Sequence, residues 1–441
     1  MFGQTKIDSI AGREATIECF NITLTQNTSN SPLVFNGPGC LFFDEKKNLK
    51  VKMYSASTTS GSIKMMNFLW SDHPGIIPEE RYFTLEAEDA SGRSWKNNRI
   101  LVQRGIDTYP SGTVLELRLN NARSITQLKQ PDPGGRALIA VNGIYRLPFN
   151  EFIDNGKGSM ELAKLALSQG TRTIEMIQKG NKLDIEIVDS KDPIILDTLF
   201  YLLEGISIAT GQLLEASFII ARNGTAYEAF IQGRVSENTY TMADPIVDIF
   251  PRREAELDKF LQMYMKARHK GLNHLANYWH RLKEISKANT EAAALVLCVN
   301  IEGMVKNYFS TNTDLDAKTL QEISDTRKFI KASAANIPST GKKAILNFLG
   351  NLKTKTVSTI LTDISESGVL EKAHVKSWKD LRHTLAHADN AVISSNNFEN
   401  FVHDLQNCLA LFGKLIELSV THYSNDSVMT AIALEDPETL D

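Results

Sequence analysis

The sequence predicts an α+β multidomain protein: a β-rich N-terminal half, made of a sandwich plus an α/β unit, followed by an all-α helical bundle. Three observations point there. The 441 residues exceed what one ordinary core accommodates, which suggests two to three domains. Up to about residue 240, apolar and polar residues alternate in short runs broken by turn signals. From Glu254 to about Tyr423 the apolar spacing becomes helical.

The elements follow in chain order. "EATIECFNITLT", "LKVKMYSAS", "RYFTLEAED" and "TVLELRLN" alternate as half-buried strands do, and suit an antiparallel sandwich over residues 1–130. The turn-forming segment "QPDPGG" (Gln130 to Gly135) separates this region from an α/β unit over 136–243. There "KLDIEIVD" reads as a strand and "EASFIIARNGTAYEAFIQG" as a hairpin turning at Asn223-Gly224. Between them "PIILDTLFYLLEGISIAT" reads as a mostly buried helix. Residues 250–425 carry long helical patterns with short connections, the signature of an antiparallel bundle. The last stretch, 426–441, is an acidic tail.

Composition narrows the function. A 42% hydrophobic, 23% charged chain with net charge -4 is an ordinary globular composition, and any nucleic-acid contact must be local. Cys19, Cys40, Cys298 and Cys408 are far apart with no CxxC pair, which suggests reduced thiols in a cytoplasmic protein. The start lacks a basic segment followed by an apolar one, and "AAALVLCV" is far too short to span a membrane, so neither a signal peptide nor a membrane partner is expected.

The chemistry concentrates in "SWKDLRHTLAHADN", Ser377 to Asn390. With Ser377 as N-cap and a turn of about 100° per residue, Trp378, Leu381, Leu385 and Ala388 form an apolar stripe. Asp380, His383 and His387 fall opposite it, with Arg382 between the two sides. A guanidinium grips phosphate oxygens bidentately, and an imidazole transfers protons near neutral pH. Together they suit metal-independent RNA cleavage: a base takes the 2′-OH proton, and a cation stabilises the crowded phosphorane. His383 of the same chain, or His387 of a second copy, supplies the other proton-transfer group. Other readings stand beside this one: a solvated helix face, core histidines, or a metal site formed by Asp380, His383 and His387 in a phosphohydrolase.

The hexapeptide from Arg382 to His387 resembles the Arg-x(4 to 6)-His signature of HEPN domains. The lead-in from Trp378, and an earlier helix carrying "NIEGMVKNYF" with Glu302 at its middle, are also similar to that family. The resemblance covers about 170 C-terminal residues. It implies a helical bundle that often acts as a metal-independent ribonuclease without cofactor, dimerises to build a composite site, and uses Arg382, His387 and His383, with Asp380 and Glu302 as auxiliaries. A HEPN bundle that binds nucleotides or proteins without cutting is the alternative. The order of β-rich region then bundle resembles ApeA-like antiphage defence proteins, which implies abortive infection and an N-terminal half that senses a phage-derived trigger.

A second Arg-to-His spacing, Arg268 to His274 in "RHKGLNH", also fits the signature, but Gly271 interrupts its helix and the Trp-Leu lead-in is missing. "STGKKAILNFLGNLKTK" lacks the first glycine of a phosphate loop and has Lys343 where Ser or Thr should stand, so no NTPase is expected. Its Lys342, Lys343, Lys353 and Lys355 are expected either to line an RNA path or to be an ordinary solvated face. Tyr278 and Trp279 read as core packing or dimer contact rather than base-stacking platforms.

Overall fold

The computed structural model describes residues 4–28, 30–55, 76–102, 106–109, 112–128, 134–154, 158–235, 243–285, 289–309, 317–332, 338–351, 355–386 and 398–425. The chain forms two compact units, Met1–Tyr240 with Val247–Met265, and Thr241–Ile246 with Lys266–Asp441. No described helix is long and apolar enough to cross a membrane.

The first unit is a β-rich sandwich region. Its strands are β1 (Thr16–Gln26), β2 (Val34–Phe43), β3 (Leu49–Ser55), β4 (Tyr82–Asp89), β5 (Ser94–Leu101), β6 (Ile106–Tyr109), β7 (Gly112–Arg118) and β8 (Asn121–Gln127), then β9 (Gly135–Asn142), β10 (Glu151–Asp154), β11 (Met160–Gln169), β12 (Arg172–Lys179), β13 (Lys182–Asp189), β14 (Ala216–Asn223) and β15 (Ala226–Gln232). Among the described residues they make one antiparallel ladder in the order β10-β11-β12-β13-β9-β14-β15-β8-β5-β4-β1-β2-β3-β7-β6. The ladder continues past the segment read as a subdomain break, because β8 before it pairs with β15. The second part is therefore antiparallel too, with a helix laid on it.

Alternation places the core. β13 turns Leu183, Ile185 and Ile187 inward, as its period of two requires. β1 loses its alternation at Phe20 and Asn21, and a register shift between Cys19 and Ile22 restores the inward face with Ile22 and Leu24. Helix α1 (Gln4–Ala11) buries Ile7 and Ile10 in the core of β1 to β8. The buried Arg13 after it donates to the carbonyls of Lys47, Gln232 and Gly233 at 2.6, 2.9 and 2.6 Å, tying its own turn to the β2–β3 turn and to the end of β15. Helix α2 (Leu196–Thr210) ends at Gly211, whose φ of 68° closes it in a left-handed cap. Helix α3 (Glu254–His269) sets Tyr264 against Gly205 of α2, and the Tyr264 hydroxyl donates to Glu204.

Two buried aspartates staple turns. Asp89 accepts from the Ser91 amide and hydroxyl, the Arg93 amide and the Trp95 indole at 2.8, 2.6, 3.0 and 3.1 Å. Asp189 accepts from the Asp192 and Lys191 amides, Thr171 and Arg172 at 3.0, 3.1, 3.0 and 3.2 Å. Burial pushes both carboxyls up, but these donors outweigh it and hold both below the usual carboxylate range. A lowered folded-state pKa contributes stability that is present above the unfolded value of about 3.9 and lost as pH falls through the folded one. Urea unfolding of the protein is therefore expected to show stability dropping below about pH 4. Asp89→Asn should lower stability at neutral pH and flatten that drop; an unchanged acid limb would contradict the assignment.

The second unit is the helical bundle: α4 (Leu275–Ile285), α5 (Thr290–Tyr308), α6 (Ala317–Ala332), α7 (Ser339–Asn351), α8 (Val357–Glu366), α9 (Lys372–Ala386) and α10 (Phe398–Ser424). Helices α5, α9 and α10 pack mutually, with α4 and α8 on α5. Their core includes Ile301, Met304, Trp378, Leu381, Phe412 and Leu415. Gly303 of α5 lets that helix approach α4, since a Cβ there would stand 2.6 Å from the Tyr278 hydroxyl and 2.8 Å from its ring. Tyr278 and Trp279 are buried, in keeping with core packing. Ser377 is not an N-cap: α9 begins five residues earlier, at Lys372, and the buried Ser377 hydroxyl accepts from the Asn407 amide of α10 at 2.9 Å. The four cysteines are unbridged, and burial pushes the Cys19 thiol up to about 12.

Candidate functional site

The apolar stripe of α9 dictates where its polar residues stand. Trp378 and Leu381 enter the core, 3% and 2% exposed, which turns Arg382 and His383 out along the flank of the helix. On α5, burial of Ile301 and Val305 similarly presents Glu302 and Lys306 on the neighbouring flank. Where α9 crosses α5, the Nε of Arg382 donates to the Glu302 carboxylate. The guanidinium is half exposed and the carboxylate largely covered, at 50% and 20%, so the pair anchors Arg382 while leaving part of its fork open. The Glu302 bond also raises the pKa of Arg382 above its already high value, which keeps its charge permanent.

This pair lines a groove of about 650 Å³. Its walls are α5 with Glu302 and Lys306, α9 with Trp378, Lys379, Arg382 and His383, and the segment entering α8, from Lys355 to Ser358. Thr356 caps α8 by accepting from the Thr359 amide at 3.2 Å. Lys379 Nζ donates to the Thr362 hydroxyl at 3.0 Å, and Lys355 Nζ donates to Asp363 at 2.9 Å, which fixes both cations along α8. Among the described residues the lining holds the basic side chains of Lys306, Lys355, Lys379 and Arg382 against the carboxylate of Glu302, with Asp363, outside the lining, paired to Lys355. Such a balance favours a polyanion.

Of the residues singled out from sequence, Arg382, His383, Glu302 and Lys355 meet in this groove. Asp380 is exposed on α9 but does not line it. Lys342 and Lys343 lie on α7, also outside the lining, and Lys342 Nζ donates to the Lys331 carbonyl at the end of α6, 2.9 Å away. His387 and Lys353 lie outside the described residues, as do Ala388 of the expected stripe and the tail 426–441. Among the described residues, no three His, Cys, Asp or Glu side chains cluster as metal ligands would.

The competing motif has a structural occupation. Helix α3 ends at His269, Gly271 adopts φ of 100°, and Arg268 donates to the Leu272 carbonyl and the Asn273 side chain at 2.7 and 3.2 Å. Arg268 therefore closes its own helix end rather than facing the groove.

Lys306 and Lys379 were not singled out from sequence, although helical spacing contains the signal. Lys306 stands one turn beyond Glu302, and Lys379 stands three residues before Arg382, so each shares a face with a residue already marked.

Comparison with protein-family models, with curated proteins and with solved structures finds no match for this chain.

Proposed function

We propose that the protein is a metal-independent endoribonuclease of HEPN type, acting in cytoplasmic antiphage defence and cutting RNA in the groove lined by Arg382. The observation that carries this reading is the convergence of Arg382, His383, Glu302 and Lys355 on one groove dominated by cations. In the reaction, a histidine takes the proton of the ribose 2′-OH, and the freed oxygen attacks the adjacent phosphorus. Arg382 meets the charge that builds on the non-bridging oxygens. A second imidazole protonates the departing 5′ oxygen, leaving a 2′,3′-cyclic phosphate and a 5′-hydroxyl. His387 takes one of these proton-transfer roles, His387 of a second copy or His383 of the same chain takes the other, and Glu302 positions the guanidinium.

Lys306 and Lys379 hold flanking phosphates. Lys306→Ala and Lys379→Ala are each expected to weaken RNA binding and to reduce the slope of log affinity against log salt by about 0.7 to 0.9. Fluorescence anisotropy with a labelled single-stranded RNA measures both. Slopes equal to that of the unaltered protein would remove these lysines from the RNA path.

The active form in this proposal is a homodimer through the bundle. Leu295 and Val299 are 42% and 49% exposed on α5, leading toward Glu302, an apolar strip that a second copy would cover. Pairing across a two-fold axis brings two Arg382 and His387 sets together. Mixing Arg382→Ala chains with His387→Ala chains should then restore part of the activity. A protein that is strictly monomeric by light scattering yet cleaves RNA would eliminate the composite site and leave His383 as the second proton-transfer group. In this scheme the β-rich half reads a phage-derived trigger.

A further inference from the structure

We propose that the wedge between β5 and β8 binds a phosphate-bearing small molecule of nucleotide size. This site belongs to the first unit and is independent of the nuclease reading. β5 pairs with β8 only from Ser94↔Ile125 to Lys96↔Arg123, after which the two strands part. On the other edge of β5, at the same point along the strand, the register with β4 shifts between Phe83 and Leu85. Asn97 bridges the opening instead of a ladder bond. Its buried amide donates to the Asn121 carbonyl at 2.5 Å, and its oxygen accepts from the Arg99 amide at 2.9 Å.

The opening is a cleft of about 610 Å³, within the roughly 300–1,000 Å³ usual for small-molecule sites. Lys96, Arg99 and Arg123 line it together with Asn98, Asn120 and Asn121, and among the described residues no carboxylate does. That is a concentrated positive lining in a chain of net charge -4. Lys96 and Arg99 are shared with carboxylates outside the lining, Glu86 at 2.6 Å and Glu79 at 3.6 Å. Among the described residues no carboxylate pairs with Arg123. Its guanidinium instead lies 5.6 and 5.9 Å from the rings of Phe230 and Phe200, which meet edge to face at 5.0 Å. Arg99 is held the same way, 4.4 Å over Tyr82. Aromatic seats restrict both forks before any ligand arrives, which lowers the ordering cost of binding.

The ligand class follows from the donors. Two arginine forks and an ammonium match the several terminal oxygens of a phosphate, and the asparagine amides add donors and acceptors for sugar hydroxyls. Ile125, 60% exposed beside these cations, offers an apolar surface for a base. The closed ladder at Lys96↔Arg123 stops one end of the wedge, so a discrete molecule fits it better than a strand threading through.

Calorimetric titration of the full chain with AMP, ribose 5-phosphate, inorganic phosphate and adenosine tests the site. AMP should bind at least tenfold more tightly than adenosine, and ribose 5-phosphate should retain binding. Arg123→Gln should weaken AMP at least tenfold with an unchanged circular dichroism spectrum, whereas Arg382→Ala should leave AMP affinity as it was. If Arg123→Gln does not fold, Lys96→Ala and Asn98→Ala must each weaken AMP. Absence of AMP binding at millimolar concentration, equal binding of adenosine, or AMP affinity that responds to Arg382→Ala but to none of the cleft variants would overturn the proposal.

Discussion

Arg382→Ala and His387→Ala are each expected to lower the rate of RNA cleavage by roughly a hundredfold or more, the scale of losing a transition-state cation or an acid-base group. In the proposed reaction the loss from Arg382→Ala falls on kcat rather than on RNA affinity, because Lys306, Lys355 and Lys379 would remain in the groove to hold the backbone. Arg382→Lys should not rescue it, since an ammonium cannot reproduce a fork held by Glu302 at one nitrogen with others left for the proposed phosphate contact. Folding should survive, because the Arg382 side chain is half exposed and outside the core stripe. Loss of activity in His274→Ala with activity retained in His387→Ala would transfer the chemistry to the motif that closes α3.

The second large effect is on stability. Trp378→Ala should destabilise the bundle by about 3 to 5 kcal/mol, the usual cost of emptying the space of a large buried aromatic side chain. Trp378 is 3% exposed, and its indole donates to the Cys298 carbonyl of α5 across a long 3.5 Å contact, so the loss is mainly one of packing. His383→Ala, on the exposed flank of the same helix, should change stability by no more than about 0.5 kcal/mol. Urea unfolding of the two variants separates them. A Trp378→Ala cost under about 1 kcal/mol would mean that the stripe is not what holds α9 in place.

Much of the fold was legible because it rests on period. β13 occupies the run read as a strand, Lys182–Asp189, and the hairpin around Asn223-Gly224 pairs as β14 and β15. β2 is harder to see: Gly37, Pro38 and Gly39 interrupt its alternation, and its neighbours β1 and β3 hold it extended through the ladder. Ser377 resembled a cap because serine before an apolar run usually is one, whereas its partner, Asn407, lies on another helix. The site divides in the same way. Arg382 and His383 were visible as neighbours on one face, but their meeting with Lys355 and Lys306 depends on how α5, α8 and α9 cross. Lys342 and Lys343 carried the same local signal as Lys355 and ended elsewhere, on α7, because charge in a sequence does not say which way a helix turns.

The central claim is tested most directly by incubating the purified full chain with total RNA in the presence of EDTA and analysing the ends of the products. The proposed chemistry predicts cleavage that persists under chelation, with 2′,3′-cyclic phosphates on one side of each cut and 5′-hydroxyls on the other. Cleavage abolished by the chelator, or products carrying 5′-phosphates and 3′-hydroxyls, would contradict it.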